Sequence, residues 1–324
     1  MRMIGRGTDS PCLLAQELVL LSAGELHVVL APAVGGSIAS FTRHWQDGSR
    51  RRELHWMRPA TAAALAARNP LGMASFPLVP FCNRIRSGRA SFEGRAISMP
   101  PNHPGEQAPH PLHGIGWLRA WHVRSASPVH AELGLVVEAS DAWPWRFSCV
   151  QRFDLNGSAL TVEMAITNED SAAMPAGIGH HPYFPHHAKT VLASPAEAMW
   201  VVDAEVMPVR LESSGPVQRL REGVLLSEMD LDNNFTGWDR VTRIAWPADV
   251  HGPARGLTMR AEAPLDYFVL YCPSGYDYFC AEPVSQCTDW LNLLPQYGTG
   301  PLGGARVGPG ETLRARFKLE PHWT

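Results

Sequence analysis

The chain has 324 residues, enough for one large β domain or for two domains of ordinary size. Hydrophobic residues make up 45% of it, which provides a sizeable core and excludes disorder of the whole chain. The formal net charge is −3, and the longest basic run, Arg50 to Arg52, is followed at once by Glu53. A nucleic-acid partner would need a larger basic surface, so we exclude one.

The N-terminal part does not fit a secretion signal, because Gln16, Glu17, Glu25 and His27 interrupt its apolar-leaning segment at 13–30. No stretch holds the roughly 18 apolar residues of a membrane span, so we expect no membrane partner. The six cysteines show no C-x-x-C spacing. We therefore predict reduced thiols and a location in the cytoplasm.

Short strands joined by turns dominate the predicted secondary structure. Glycine and proline number 28 each and are spread along the whole chain, so no linker divides it. Asn156-Gly157 predicts a hairpin, and only the alanine-rich segment 60–68 looks helical. In chain order, strands are predicted at Leu26–Ala31, 131–139, 147–155, 160–168, 257–261, Tyr267–Cys272 and 313–319.

These elements predict a single all-β domain over residues 1–324, built as a large antiparallel β-sandwich. The chain shows no alternation of strands with helices, no glycine-rich phosphate loop and no internal repeat of roughly 20–50 residues. Loops from distant parts of a sandwich can meet at one face, where binding sites commonly lie. Five segments rich in reactive side chains are therefore candidates for one site.

The first candidate segment is 76–85, where Asn83 and Arg84 follow a proline-stiffened apolar run. A guanidinium held there can offer several donors to sugar hydroxyls or to a carboxylate. The alternative is an arginine paired with a structural acid.

The second candidate segment, 110–117, contains His113, two nearby glycines and Trp117. Gly114 and Gly116 let the backbone approach a ligand closely, and Trp117 can stack on a sugar face. The alternative is a turn with a tryptophan in the core.

The third candidate segment, 177–187, holds four histidines beside Tyr183 and Phe184. Histidine exchanges protons near neutral pH and also binds zinc or copper. In an extended chain His180 and His181 point to opposite sides, and no known metal-ligand spacing accompanies them, so we predict no metal. His181 is the predicted proton donor, His180 a residue lining the pocket, and His186 and His187 loop residues.

Two acidic segments complete the set. Asp232, in 231–238, can accept hydrogen bonds from sugar hydroxyls, although Asp-Asn-Asn is also an ordinary turn composition. Glu282, in 278–285, ends an aromatic-rich run that we expect Pro283 to terminate. A carboxylate partly desolvated there would have a raised pKa and can act as a general base, the alternative being a surface residue at a strand end.

In this order the five segments resemble the aldose 1-epimerases, or galactose mutarotases. The shared pattern comprises Asn-Arg-Ile at 83–85, Leu-His-Gly with a following Gly-Trp at 112–117, His-Pro-Tyr-Phe at 181–184, an Asp three residues before a Phe at 232–235, and Glu-Pro at 282–283. Each motif is weak alone, whereas five in the family's order are specific. His180 in place of an Asn, Pro182 in place of a small polar residue and one Gly after His113 make the chain resemble a divergent bacterial branch.

The resemblance implies a sandwich of the galactose mutarotase-like type with an open sugar cleft and no cofactor. It implies that Glu282 is the general base, that His181 is the general acid and that His113 lies near the ring oxygen of the sugar. The residues expected to bind the sugar are Arg84, Asp232, Asn83, Tyr183, Trp117 and Trp238.

The expected activity is interconversion of the α and β anomers of a free aldose by ring opening and closure, with Glu282 ionised and His181 protonated. The expected assembly is a monomer or homodimer. Three alternatives stay open. A carbohydrate-binding protein on the same fold needs no Glu–His pair. A glycoside hydrolase or lyase usually needs two carboxylates, and Asp232 is the only clear candidate for a partner of Glu282, which counts against this alternative. The third alternative is a metal-dependent sugar isomerase.

Overall fold

The structure is a computed structural model that describes residues 18–105, 108–213, 215–250 and 252–323. Cys12 and the beginning of the 13–30 segment lie outside these residues, as do both ends of the predicted 1–324 domain. Strands and helices are numbered below in chain order.

A small antiparallel sheet is built by the first part of the described chain. Its four strands pair in sequence order and are β1 (Val19–Ala23), β2 (Leu26–Ala31), β3 (Ser37–Asp47) and β4 (Arg50–His55). Two further strand pairs are β6 (Arg89–Phe92) with β7 (Arg95–Ser98), and β12 (Met174–Ala176) with β24 (Ala305–Val307).

Two large antiparallel sheets form the sandwich, and within the described ranges one has nine strands and the other eight. The nine-stranded sheet contains β8 (His122–Ala126), β9 (His130–Val137), β10 (Phe147–Asn156), β11 (Ala159–Asn168), β15 (Val191–Ala193), β18 (Val224–Leu225), β20 (Val241–Trp246), β21 (Arg255–Ala261) and β25 (Thr312–Trp323). The eight-stranded sheet contains β5 (Pro77–Leu78), β13 (Gly179–His180), β14 (Tyr183–Pro185), β16 (Ala198–Val202), β17 (Pro208–Glu212), β19 (Leu231–Thr236), β22 (Tyr267–Cys272) and β23 (Tyr278–Val284).

The hydrophobic core lies between these two sheets. Along β10 buried residues alternate with more exposed ones, as expected for a strand with one face on the core. Phe153 and Phe317 of the nine-stranded sheet belong to the same buried cluster as Phe268 and Phe279 of the eight-stranded sheet. The antiparallel β-sandwich predicted from the sequence is therefore confirmed.

The predicted strands are observed, two of them with the predicted bounds: Leu26–Ala31 and Tyr267–Cys272. The predicted hairpin joins β10 to β11, with Asn156 opposite Ala159. Its loop residues are Gly157 and Ser158, because Asn156 stays in the strand and its Oδ1 accepts the backbone N–H of Ser158 at 2.9 Å and that of Ala159 at 2.8 Å.

The expectation of a single helix is wrong. The predicted one appears as α1 (Ala62–Ala66), and the described residues form two more, α2 (Gly215–Glu222) and α3 (Trp290–Tyr297). Both have eight residues, too few for a clear helical period, and α3 contains Pro295, which usually argues against a helix interior.

Candidate active site

One cavity of about 290 Å³ gathers most of the predicted site residues beside the eight-stranded sheet. This volume is near the lower end of the range found for small-molecule pockets. The predicted residues that line it are Glu282, His181, His113, Arg84, Asp232, Asn83 and Tyr183.

Glu282 faces His181 because the sheet is interrupted beside β23. One edge of β23 pairs with β22, whereas the other pairs with β13 at Val284 and with β14 from Cys280 to Tyr278. Between these two contacts His181 and Pro182 leave the ladder, and Glu282 lies opposite the interruption. The expected strand end at Pro283 is wrong, since β23 continues to Val284; proline is tolerated where no ladder partner requires its N–H.

Glu282 and His181 form a buried pair. His181 Nε2 lies 3.2 Å from Glu282 Oε1, and the two residues are 7% and 2% exposed. Glu282 Oε2 has no hydrogen-bond partner within the described part of the chain. Because a buried acceptor without a partner is costly, this oxygen is suited to receive a hydrogen bond from a ligand.

Burial shifts the protonation of both members of this pair. It lowers the pKa of His181 to about 3. Burial, assisted by the nearby Asp232 carboxylate, raises the pKa of Glu282 well above its usual range, and Arg84 opposes the rise. Both directions favour the uncharged forms, so the proton shared by the pair resides on Glu282 in the protein alone. These directions are opposite to the expected ionised Glu282 and protonated His181.

Aromatic rings fix the imidazole of His181. Its centroid lies 4.6 Å from that of Phe76 and 4.7 Å from that of Tyr183, with interplanar angles of 26° and 25°. The Arg58 guanidinium lies 3.8 Å above the Tyr183 ring and 4.6 Å from the centroid of Tyr278. A cation and two near-parallel rings therefore restrain the orientation of His181.

His113 is held as a neutral hydrogen-bond donor. Its Nδ1 accepts the backbone N–H of Asn83 at 3.1 Å, which leaves the ring proton of the neutral form on Nε2. Burial lowers the pKa of His113 well below its usual value, and repulsion from His181, whenever that residue is protonated, and from Arg84 adds to this effect. His113 is therefore able to donate a hydrogen bond, but it is a poor source of a whole proton.

Arg84 links two other predicted residues. Its Nη1 donates to Asn83 Oδ1 at 3.0 Å, and its Nη2 donates to Asp232 Oδ2 at 3.4 Å. Asp232 lies within β19, so its segment is a strand and not the turn considered as an alternative. Arg84 does pair with an acid, as the other alternative held, but that acid lines the same cavity.

The two predicted tryptophans do not line the cavity. Trp117 is fully buried, packs 5.2 Å from Phe76 and donates from Nε1 to the Leu112 carbonyl at 3.0 Å. Trp238 is 4% exposed and packs 5.5 Å from Phe268. The expectation that one of them stacks on a sugar is wrong, because core packing covers both rings.

His180 is also placed differently from expectation. It is fully buried between the large sheets, where Nδ1 bonds the Ser75 hydroxyl and Nε2 lies 3.3 Å from Gln151 Oε1. Strand alternation turns it away from the side chain of His181. His186 and His187 follow the end of β14, between strands as predicted, and line a separate cavity.

Sequence reasoning missed several residues of the cavity, chiefly Tyr271, Tyr276, Tyr278, His103 and His110. Tyr276 is 53% exposed at the cavity mouth. A signal for the tyrosines was present, since two of them precede the Glu282 segment within one aromatic-rich stretch. These tyrosines lie at the cavity because the turn between β22 and β23 holds the two strands side by side there.

Three general features concern partners and cofactors. Over the described ranges, no group of three or more His, Cys, Asp and Glu side chains is arranged to hold a metal ion. The five described cysteines are free and buried. No helix in the described ranges is both long and apolar enough to cross a membrane.

The fold is the antiparallel sandwich that the resemblance to the aldose 1-epimerases implies, and its cavity carries a buried Glu–His pair. The sequence pattern of the aldose 1-epimerase family matches residues 17–320. The chain belongs to that family.

Individual relatives agree with this assignment. The chain is similar to the uncharacterized protein YphB of Escherichia coli K12, at 30% identity over 319 residues, covering 94% of this chain and 98% of that one. It is similar to a crystal structure of a candidate aldose 1-epimerase from Escherichia coli K12, with a TM-score of 0.81, 26% identity and coverage of 95% and 99% of the two chains. An aldose epimerase homologue from C. elegans, with a TM-score of 0.76, 18% identity and coverage of 95% and 99%, shares the fold.

Proposed function

We propose that the protein is an isomerase, an aldose 1-epimerase that interconverts the α and β anomers of a free aldose. The observation that carries this proposal is the buried contact of 3.2 Å between His181 Nε2 and Glu282 Oε1 in a cavity that also holds His113. Ring opening needs one group to accept the proton of the C1 hydroxyl and another to protonate the ring oxygen. These two oxygens share one carbon, so an acceptor and a donor in direct contact match their spacing.

The reactive state in this proposal is the charge-separated pair, reached when the shared proton moves from Glu282 to His181. Glu282 then accepts the proton of the C1 hydroxyl, His181 protonates the ring oxygen, the bond between C1 and the ring oxygen breaks, and the C1 carbonyl forms. Rotation about the C1–C2 bond and reversal of both transfers give the other anomer. Ring opening returns the pair to its uncharged form, which burial favours, so the ring-opened stage is stabilised.

The remaining cavity residues orient the sugar. His113 Nε2–H donates a hydrogen bond toward the ring oxygen, where negative charge would otherwise develop. Arg84 and Asp232 offer a donor and an acceptor to neighbouring hydroxyls, and Asn83 holds Arg84 in place. We further propose a monosaccharide substrate, because the cavity volume of about 290 Å³ is small.

The direct test is exchange NMR or polarimetry of α and β anomers across free hexoses and pentoses. Catalysed exchange that is lost in Glu282→Gln and retained in the core control Trp238→Phe supports the proposal. Saturable sugar binding without exchange supports the carbohydrate-binding alternative. Chelator-sensitive exchange supports the metal-dependent alternative. The cytoplasmic location, the monomer or homodimer and the single domain remain predictions.

A further inference from the structure

A second cavity, of about 350 Å³, shares no lining residue with the sugar cavity. Arg58 lines it and also contacts the rings of Tyr183 and Tyr278, which line the sugar cavity. Residues of separate elements meet there, including His55 at the end of β4, His186 after β14 and Arg255 at the start of β21. The sugar chemistry proposed above uses none of these three.

Arg255 is the notable group of this second cavity. It is 8% exposed, and its Nε and Nη1 have no hydrogen-bond partner among the residues described. The central carbon of its guanidinium lies 5.1 Å from the Trp246 ring centroid, a cation–π contact that supplies no acceptor for a hydrogen bond in the plane of the group. The N–H bonds lie in the plane of the guanidinium, so they still require acceptors.

The histidines add hydrogen-bonding capacity. His55 Nε2 lies 3.2 Å from Glu53 Oε1, and its buried Nδ1 has no partner within the described part of the chain. His186 also lines the cavity, and neither of its buried ring nitrogens has a hydrogen-bond partner among the described residues, while its backbone N–H donates to the Asp277 carbonyl at 2.7 Å.

Among the residues that the structure describes, no carboxylate forms an ion pair with Arg255, although three acidic side chains lie at or near the cavity. Glu53 is engaged by His44 at 3.5 Å and by His55 at 3.2 Å. Asp249 acts on Arg255 electrostatically and lies 3.4 Å from His187 Nδ1, and Asp277 also lines the cavity. A buried cation with unpaired donors is costly unless an acceptor of opposite charge approaches it.

We propose that this second cavity is a binding site for a small oxyanion, namely the carboxylate or phosphate group of a small metabolite. Arg255 supplies the counter-charge and N–H donors, and His55 and His186 supply further hydrogen bonds. Arginine is well suited to this role, because its planar donors match the oxygens of both groups. The inference does not depend on the sugar chemistry.

The test measures thermal unfolding of the full chain with inorganic phosphate, sulfate or acetate, with sodium chloride at matched ionic strength as the control. We expect at least one oxyanion to raise Tm saturably, as a ligand that binds the native state must. Arg255→Gln should remove the saturable shift or weaken Kd at least about tenfold, whereas Glu282→Gln should keep it. The proposal is overturned if none of the three anions acts beyond chloride, or if Arg255→Gln responds as the parent protein does.

A second measurement covers the case in which Arg255→Gln does not fold. Imidazole resonances of the unsubstituted protein are followed by NMR during the same titrations. Saturable changes at His55 and His186, with His113 unaffected, place the anion in this cavity. Changes at His113 alone would assign the anion to the sugar cavity and overturn the proposal.

Discussion

Asn83 and His113 hold each other through two hydrogen bonds of opposite direction. The backbone N–H of Asn83 donates to His113 Nδ1 at 3.1 Å, and the backbone N–H of His113 donates to the Asn83 carbonyl at 2.8 Å. Both residues have φ of +58°, a left-handed conformation that costs energy for residues other than glycine. Two residues of one cavity therefore adopt a costly backbone conformation. The hydrogen bonds between them fix which nitrogen of His113 carries the proton.

Replacing His113 tests its role as a donor. His113→Phe should lower kcat roughly 10²–10³-fold, the usual effect of removing one donor to a developing oxyanion. His113→Gln should lose less, because an amide can accept from the Asn83 N–H and also donate into the cavity. Anomer-exchange NMR gives kcat for both variants. Equal losses in the two would show that His113 acts through packing rather than as a donor.

The buried pair makes a sharper prediction. Glu282→Gln and His181→Asn should each lower kcat by about 10²–10⁴-fold, the range typical of a positioned acid or base. The double variant should lose little more than the worse single variant, since the two groups act as one unit. Polarimetry at saturating sugar measures all three. Independent, multiplicative losses would contradict a shared proton.

The pH dependence of kcat follows from the directions of the two pKa shifts. The pair is competent while it holds one proton in total. It gains a second only as pH falls toward the lowered pKa of His181, about 3, and it loses the single proton only above the ordinary range of a carboxyl group. After correction for uncatalysed mutarotation, kcat should therefore be flat across pH 6.5, the usual pKa of histidine. A tenfold fall in kcat as the pH rises from about 5.5 to about 7.5 would show an ordinary histidine acid instead.

The fold was largely predictable because strand signals are local. The alternation along β10 and the Asn156-Gly157 hairpin signal lie in the sequence, and the sandwich follows from them. The two short helices were not predictable, since α3 contains Pro295 and depends on tertiary contacts. The expectation of one domain over residues 1–324 stays a prediction.

Site residues that belong to catalytic motifs could be predicted from the sequence. Features that depend on burial could not. Glu282, His181 and His113 were named from their motifs, and they line one cavity. Trp117 and Trp238 were misplaced, because an aromatic ring in a motif serves core packing as well as it serves stacking. The sequence also could not predict that burial favours the uncharged state of the Glu282–His181 pair, since desolvation depends on the surrounding packing.

The aromatic surface for the sugar is therefore expected at the tyrosines. Tyr276, which lines the cavity, packs 5.3 Å from Tyr278 and is 53% exposed, so it is accessible to a sugar ring. Tyr276→Ala should raise KM by up to about tenfold with kcat nearly unchanged, since such contacts contribute roughly 0.5–1.5 kcal/mol of binding. Trp238→Phe is the matched control, and its KM should equal that of the parent. A rise in KM for Trp238→Phe alone would return the stacking role to the tryptophan.

Glu282 should also cost the protein stability in alkali. Its pKa is near 4.3 in an unfolded chain and is raised well above its usual range in the folded one. Between these two values the native state holds the extra proton, so the free energy of unfolding falls with pH, by up to about 1.4 kcal/mol per unit. Above pH 7 the buried histidines do not contribute to the pH dependence of the free energy of unfolding, because they are neutral in both the folded and the unfolded chain.

Glu282→Gln removes this titration, so its free energy of unfolding should exceed that of the parent by a margin that grows as the pH rises above about 5 and levels off once Glu282 ionises in the folded protein. Urea denaturation of both proteins at each pH measures the margin, and the other titrating groups largely cancel in the difference. A margin independent of pH would mean that the carboxyl group does not titrate in this range. That result would remove the main support for an uncharged Glu282 in the cavity.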